Sequence, residues 1–256
     1  MITMLKKWEI SIPEFEDSSP RNVYVYLPSS YQRSRKRYPV LYMFDGHNVF
    51  TDEDSSFGKS WGLENYLDKN KTELIVVGVE CSHDPDNGRL KEYSPFTFYD
   101  DSFGMIQGRG RTTMEWFIYV LKKYMDQNYR TLRDRRHTFI SGSSMGGLMS
   151  LYAILKYNHI FGRAAALSPS IWVAPEKMFA LIDRSRVRPD TVLYMDYGTE
   201  EFDNHEHMDT LYYDVSNALQ YKHLCLTSRI VPNGQHSEAC WEKQLPFVIN
   251  TLMYDI

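Results

Sequence analysis

The run from Thr138 to Ser150 constrains this chain more than any other: Thr-Phe-Ile-Ser-Gly-Ser-Ser-Met-Gly-Gly-Leu-Met-Ser passes from strand-forming residues, through a tight glycine turn, into a helix-forming stretch. That path is a nucleophile elbow with Ser144 at its tip. Gly142 and Gly146 bracket the serine as G-x-S-x-G, because a side chain at either flank of so sharp a turn would collide with neighbouring backbone. Ser144 Oγ is expected to project outward. The Met145 N–H, at the start of the helix, has no acceptor within it and is expected to face an oxyanion forming on a bound carbonyl.

Short apolar or alternating runs bounded by turn residues predict strands at 8–12, 22–27, 40–44, 74–80, 137–143, 164–168, 192–197 and 226–231. Helices are predicted at 113–128, 148–156, 175–183, 208–221 and 237–253. In the first of these, Trp116, Phe117, Val120, Leu121 and Tyr124 have the spacing of one buried face. Two or three strands that could pair antiparallel are thus followed by strict alternation of strand and helix. This order predicts an α/β fold, a mostly parallel central sheet with helices on both faces. At 256 residues the chain is long enough for one substantial core and short for two, so one domain over 1–256 is expected.

In such sheets ligands bind outside the carboxyl ends of the strands, which turns the strand list into a site list. Ser144 follows the fifth strand. A serine hydroxyl needs a base, and imidazole is suited to taking and returning the proton. His236, in the loop Pro232-Asn233-Gly234-Gln235-His236-Ser237 after the last strand, is the candidate; His137, His159 and His223 read as structural or surface residues. The acid that orients the imidazole should follow the strand at 192–197. Glu201 is the choice there, with Glu200, Asp203 and Asp196 left open. The loop after 40–44, Asp45-Gly46-His47, offers the His47 N–H as second oxyanion donor, with Asp45 as a carboxylate that satisfies loop amides.

Composition excludes other classes. A net charge of −4 lacks the excess of Lys and Arg that nucleic-acid binding requires, and the basic runs at 33–37 and 130–136 read as solvated turns. Three cysteines, Cys81, Cys225 and Cys240, are too few and scattered for a disulfide framework or a metal site, and read as small buried apolar residues of a reducing compartment. The segment His205-Glu206-His207-Met208-Asp209 has alternating potential ligands but not the i, i+4 spacing of helical zinc sites, so no metal is expected. With no secretory pattern near Met1 and no long apolar run, the expectation is a soluble, cytoplasmic protein with no membrane contact. Among the many aromatics, Tyr93, Phe96, Phe98, Tyr99 and Trp172 are expected to wall the pocket.

These pieces, taken together, resemble the putative-esterase (esterase-D-like) family of α/β-hydrolases. The likeness lies in Val23 to Pro28, Tyr38 to Phe50, the elbow from Gly142 to Gly147, Leu167 to Trp172, and Gly234-Gln235-His236-Ser237. It implies an α/β-hydrolase fold, Ser144 as nucleophile, His236 as base, and the His47 and Met145 amides as oxyanion hole. It also favours Glu201, since Gly198-Thr199-Glu200-Glu201 looks like the family's Gly-Thr-x-acid turn, although many members place Asp there. Arg89 to Pro95 looks like a family stretch expected to shape the pocket entrance. The implied activity is hydrolysis of a small-molecule carboxylic ester through an acyl-enzyme, with no cofactor. A siderophore lactone, a short acyl ester or an acylated sugar would be the substrate. An acyltransferase using the same acyl-enzyme, or a non-catalytic binding module with an inherited elbow, is the alternative, and self-association into a homo-oligomer is left open.

Overall fold

The computed structural model describes residues 4–15, 19–201 and 205–256, with 205–207 as backbone only. Eight strands form one sheet: β1 (Met4–Ile10), β2 (Arg21–Leu27), β3 (Val40–Met43), β4 (Ile75–Val79), β7 (Thr138–Ser143), β8 (Arg163–Leu167), β9 (Val192–Gly198) and β10 (Cys225–Val231). Their order across the sheet is β1-β2-β4-β3-β7-β8-β9-β10. The pairs β1/β2 and β2/β4 are antiparallel and every later pair is parallel. All eight predicted strands are present, each within a few residues of its expected ends. Two further short strands, β5 (Phe98–Asp100) and β6 (Gly104–Ile106), pair as a separate hairpin that alternation alone did not reveal.

Strand periodicity sorts the core into two layers. Val23, Val25, Tyr42, Val77, Ile140, Ala164, Leu193 and Met195 face one side, while Tyr24, Tyr26, Leu41, Val76, Phe139, Ala165 and Tyr194 face the other. The first face is covered by the helical run 110–128, by α5 (Met145–Lys156), α6 (Pro175–Arg184) and α7 (His205–Gln220); the second by α1 (Leu63–Asn70) and α8 (Glu238–Met253). A short helix, α2 (Gly88–Glu92), follows β4. Neither α1 nor α2 was anticipated, since each is too short for its apolar spacing to stand out. Among the described residues no helix is long and apolar enough to cross a membrane.

The run 110–128 departs from the expected face. It comprises α3 (Gly110–Trp116), a π-helical turn (Phe117–Lys122) and α4 (Lys123–Asn128). The wider turn shifts the register, so that Phe117, Ile118, Leu121 and Met125 are buried while Val120 and Tyr124 are 41% and 44% exposed. The cysteines divide too. All three are free, but only Cys81 is buried; Cys225 opens the edge strand β10 and is exposed, and Cys240 is intermediate. The second basic run is more than a solvated turn. Arg135 bonds the Asn158 carbonyl and pairs with Asp190, and the Arg130 guanidinium stacks on Tyr31.

Asp196 is 1% exposed within β9, where its carboxyl accepts the Tyr194 hydroxyl and the Ser168 N–H. Burial raises its pKa to about 7, with Tyr194 and Ser168 pulling in the opposite direction. Between the unfolded value near 3.8 and about 7 the folded state keeps a proton that the unfolded state has lost, so this group's contribution to stability falls as pH rises through that window. Asp196→Asn should therefore gain stability relative to wild type on going from pH 5 to pH 8. Urea unfolding at the two pH values measures the difference, and an equal offset at both would contradict the assignment.

Candidate active site

Ser144 adopts φ 58°, ψ −123°, a positive-φ conformation that a non-glycine side chain occupies only when its surroundings enforce it. Three backbone bonds do so: Ser144 N–H donates to Leu167 O at 2.9 Å, while Ser170 and Leu148 N–H each donate to Ser144 O at 3.0 Å. The flanking glycines are required by space. A Cβ on Gly142 would lie 2.8 Å from the Gly146 carbonyl carbon, and one on Gly146 would lie 2.9 Å from Phe44 Cβ. Met145 begins α5, so its N–H is one of the helix's unpaired donors.

The loops after β9 and β10 are pressed together at Gly198 and Gly234. A Cβ on Gly198 would stand 2.3 Å from Gly234 O, and Glu200 N–H donates to that same oxygen at 2.8 Å. Asn233 N–H adds a bond to Thr199 Oγ1 at 2.8 Å. This contact sets His236 beside Glu201, with Nδ1 2.9 Å from Oε2. The Glu201 side chain is 1% exposed and that of His236 is 23% exposed. The other carboxylate oxygen accepts the Ser168 hydroxyl at 2.5 Å and the Gly198 N–H at 2.6 Å. Trp241 Nε1 donates to the same Ser168 hydroxyl at 2.9 Å, and its ring stands edge-on to His236 with centroids 5.1 Å apart.

The remaining acid candidates lie elsewhere. Glu200 is exposed, Asp196 turns toward Tyr194 and Ser168, and Asp203 lies outside the described residues. The side chains of His205, Glu206 and His207 are likewise outside them. His137 bonds Asp134, and His159 and His223 are exposed.

His47 sits in a single 3-10 turn, Gly46–Asn48, entered by Asp45 at φ 52°. The bonds of the turn begin with Asn48 N–H to Asp45 O, so the His47 N–H precedes them. Asp45 does not serve loop amides with its side chain, as the sequence led us to expect. Its carboxylate instead takes both arms of the Arg89 guanidinium at 2.8 Å each, while its own N–H donates to Tyr93 OH at 3.2 Å. Burial opposes the Asp45 charge, yet Arg89 outweighs it and holds the carboxyl below its usual range.

Ser144, His236, His47, Asp45 and Arg89 all line one cavity of about 320 Å³. Its wall is completed by polar groups of Asn48, Ser56, His83 and Glu238 and by the rings of Phe57 and Trp241. The expected aromatic wall is absent from it. Tyr93 is buried beneath Asp45, Phe96 lines a separate groove, Phe98 packs edge-on to Trp172, and Tyr99 is exposed on the β5–β6 hairpin. The aromatics that do reach the cavity come from places without a local signal. Phe57 is 76% exposed at the tip of a loop pinned by Asp52 and Asn48, and Trp241 lies one turn into α8. Ser168 was identifiable only as a residue at the end of β8.

Residues 17–250 match the model of the putative esterase family. The chain belongs to that family. This esterase is 30% identical over 185 residues to YbbA of Bacillus subtilis, covering 71% of this chain and 69% of that protein. It is also 30% identical over 149 residues to Esterase Rv1288 of Mycobacterium tuberculosis, 58% of this chain and 29% of that longer protein. In fold it is similar to an IroE-like serine hydrolase from Shewanella oneidensis, with TM-score 0.76, 16% identity, and coverage of 97% of this chain and 79% of the other. The siderophore hydrolase EstA from Aspergillus nidulans gives TM-score 0.71 at 17% identity, covering 96% and 94%. The fold is that of the α/β-hydrolases, and the chain is an esterase.

The Gly198–Gly234 contact gives a direct test of how the site is assembled. Gly198→Ala should lower stability by about 1–3 kcal/mol, because backbone rather than a flexible side chain must move. It should also lower kcat by at least about tenfold, by displacing His236 from Glu201. Urea titration and ester turnover measure the two effects, and wild-type values in both would rule out the contact as the positioning element.

Proposed function

We propose that the esterase cleaves its substrate through an acyl-enzyme on Ser144. His236 takes the Ser144 proton as Oγ attacks the ester carbonyl, and the Glu201 carboxylate holds the imidazole by Nδ1 and stabilises the imidazolium. The oxyanion is received by the N–H groups of His47 and Met145, each worth about 2.7–4 kcal/mol in comparable sites. His236 then gives its proton to the leaving alcohol, and water releases the acyl group by the reverse sequence. Written this way the reaction uses no cofactor. The observation that carries the reading is the Glu201–His236 pair at 2.9 Å opening into the same cavity as the elbow serine.

The cavity also bears on substrate. Its wall mixes Asn48, Ser56, His83, Arg89 and Glu238 with two aromatic rings, which suits an oxygen-rich ester of modest size rather than a long alkyl chain. A siderophore lactone, a short acyl ester or an acylated sugar meets that description. The similar structures include a siderophore hydrolase and a ferulic acid esterase. An alcohol taking the place of water would turn the same acyl-enzyme into a transferase, and product analysis with added alcohol separates the two.

Ser144→Ala is expected to abolish both p-nitrophenyl ester turnover and labelling by a fluorophosphonate, with an unchanged circular dichroism spectrum. Retained turnover would refute the mechanism. The acid is tested separately: Glu201→Gln should lower kcat by roughly 10⁴-fold, as loss of the orienting carboxylate does in related triads, while Glu200→Gln stays within about twofold of wild type. The reverse ranking would assign the role to Glu200.

A further inference from the structure

The proposed reaction uses His47 only through its backbone, and the imidazole has surroundings that the reaction does not explain. The residue is 4% exposed, and its Nδ1 is buried without a hydrogen-bond partner. The ring stands edge-on to that of His83, with centroids 5.5 Å apart.

Ligand atoms of His47, Glu80 and His83 lie within 4.8 Å of one another. Glu80 Oε1 and His83 Nε2 are 3.0 Å apart. Two donors at about 2.0–2.1 Å from a tetrahedral zinc ion are about 3.3 Å from each other, so this edge already has nearly the span such an ion imposes. The second Glu80 oxygen is fixed by the Asn22 N–H at 2.9 Å and Asn22 Nδ2 at 2.8 Å, the kind of outer support that orients metal-binding carboxylates.

Asp45, His47 and Cys81 form a second group that shares His47. There the carboxylate is already committed to both arms of the Arg89 guanidinium, at 2.8 Å each. The cation is therefore expected on the Glu80 side. His83, with its side chain 60% exposed and on the cavity wall, leaves a path from solvent.

We propose that His47, Glu80 and His83 form a site for one zinc-class divalent cation on the wall of the Ser144 cavity. Two imidazoles and one carboxylate suit such an ion better than calcium or magnesium, which favour all-oxygen shells. Three protein donors leave the fourth tetrahedral position to water or to a substrate oxygen. The bound ion would add positive charge beside the turn that carries the His47 N–H.

Equilibrium dialysis of the whole chain against Zn²⁺, with Co²⁺ absorption as a probe of ligand geometry, tests this. One saturable equivalent is expected, with the strong visible bands of tetrahedral Co²⁺. Affinity should weaken by at least about tenfold in His83→Ala and in Glu80→Gln. The double variant His205→Ala, His207→Ala should bind as wild type does. His83 is exposed, so its replacement leaves folding intact. Absence of saturable Zn²⁺ binding, binding that survives both His83→Ala and Glu80→Gln, or binding lost with His205 and His207 would each overturn the proposal.

Discussion

The loops after β8, β9 and β10 are arranged around the buried carboxylate of Glu201. A carboxylate removed from water is tolerated only if its oxygens find donors, and here both do: Ser168 and Gly198 on one, His236 on the other. Each donor comes from a different strand end, β8, β9 and the loop after β10. The carboxylate thus fastens three loops to one another, and Trp241 extends the chain of bonds into α8 through the Ser168 hydroxyl. In the proposed reaction the same bond that satisfies this carboxylate also fixes the imidazole, at Nδ1, in the tautomer that leaves Nε2 as the base.

On the other flank of Ser144 the organising pair is Asp45 with Arg89. Asp45 enters its turn in a left-handed conformation, and the two-armed guanidinium contact, together with Tyr93 on its N–H, holds it there. The elbow serine lies between these two fastened loops, itself in a strained conformation enforced by Leu167 and Ser170. Strain in such a site persists because the packing around it leaves no alternative.

How much of this the sequence disclosed follows from the range of the interactions involved. The strands were legible because short apolar or alternating runs of four to seven residues are a local signal. The elbow was legible because the collision between Gly142 and Gly146 is confined to one turn. That His236 and Glu201 stand near each other followed from strand ends, but that Glu201 rather than Glu200 meets His236 depends on a side chain folding back onto Gly198, which spacing does not encode. The cavity aromatics were misplaced for a similar reason. Phe96 to Tyr99 lead into a hairpin that Lys177 ties to α6, whereas Phe57 arrives on a loop shaped by Asp52 and Asn48. The π-helical turn at 117–122 moved Val120 and Tyr124 to solvent, because a regular helical period was assumed where the chain widens.

In the proposed reaction the acyl group passes through Ser144. Rapid mixing with p-nitrophenyl acetate, acid quenching and peptide mass spectrometry measure this directly. One acetyl group is expected on the peptide that carries Ser144, at a level that rises before steady-state turnover begins. Ester turnover with no acetylated peptide at any mixing time, or with the acetyl group on another residue, would contradict it.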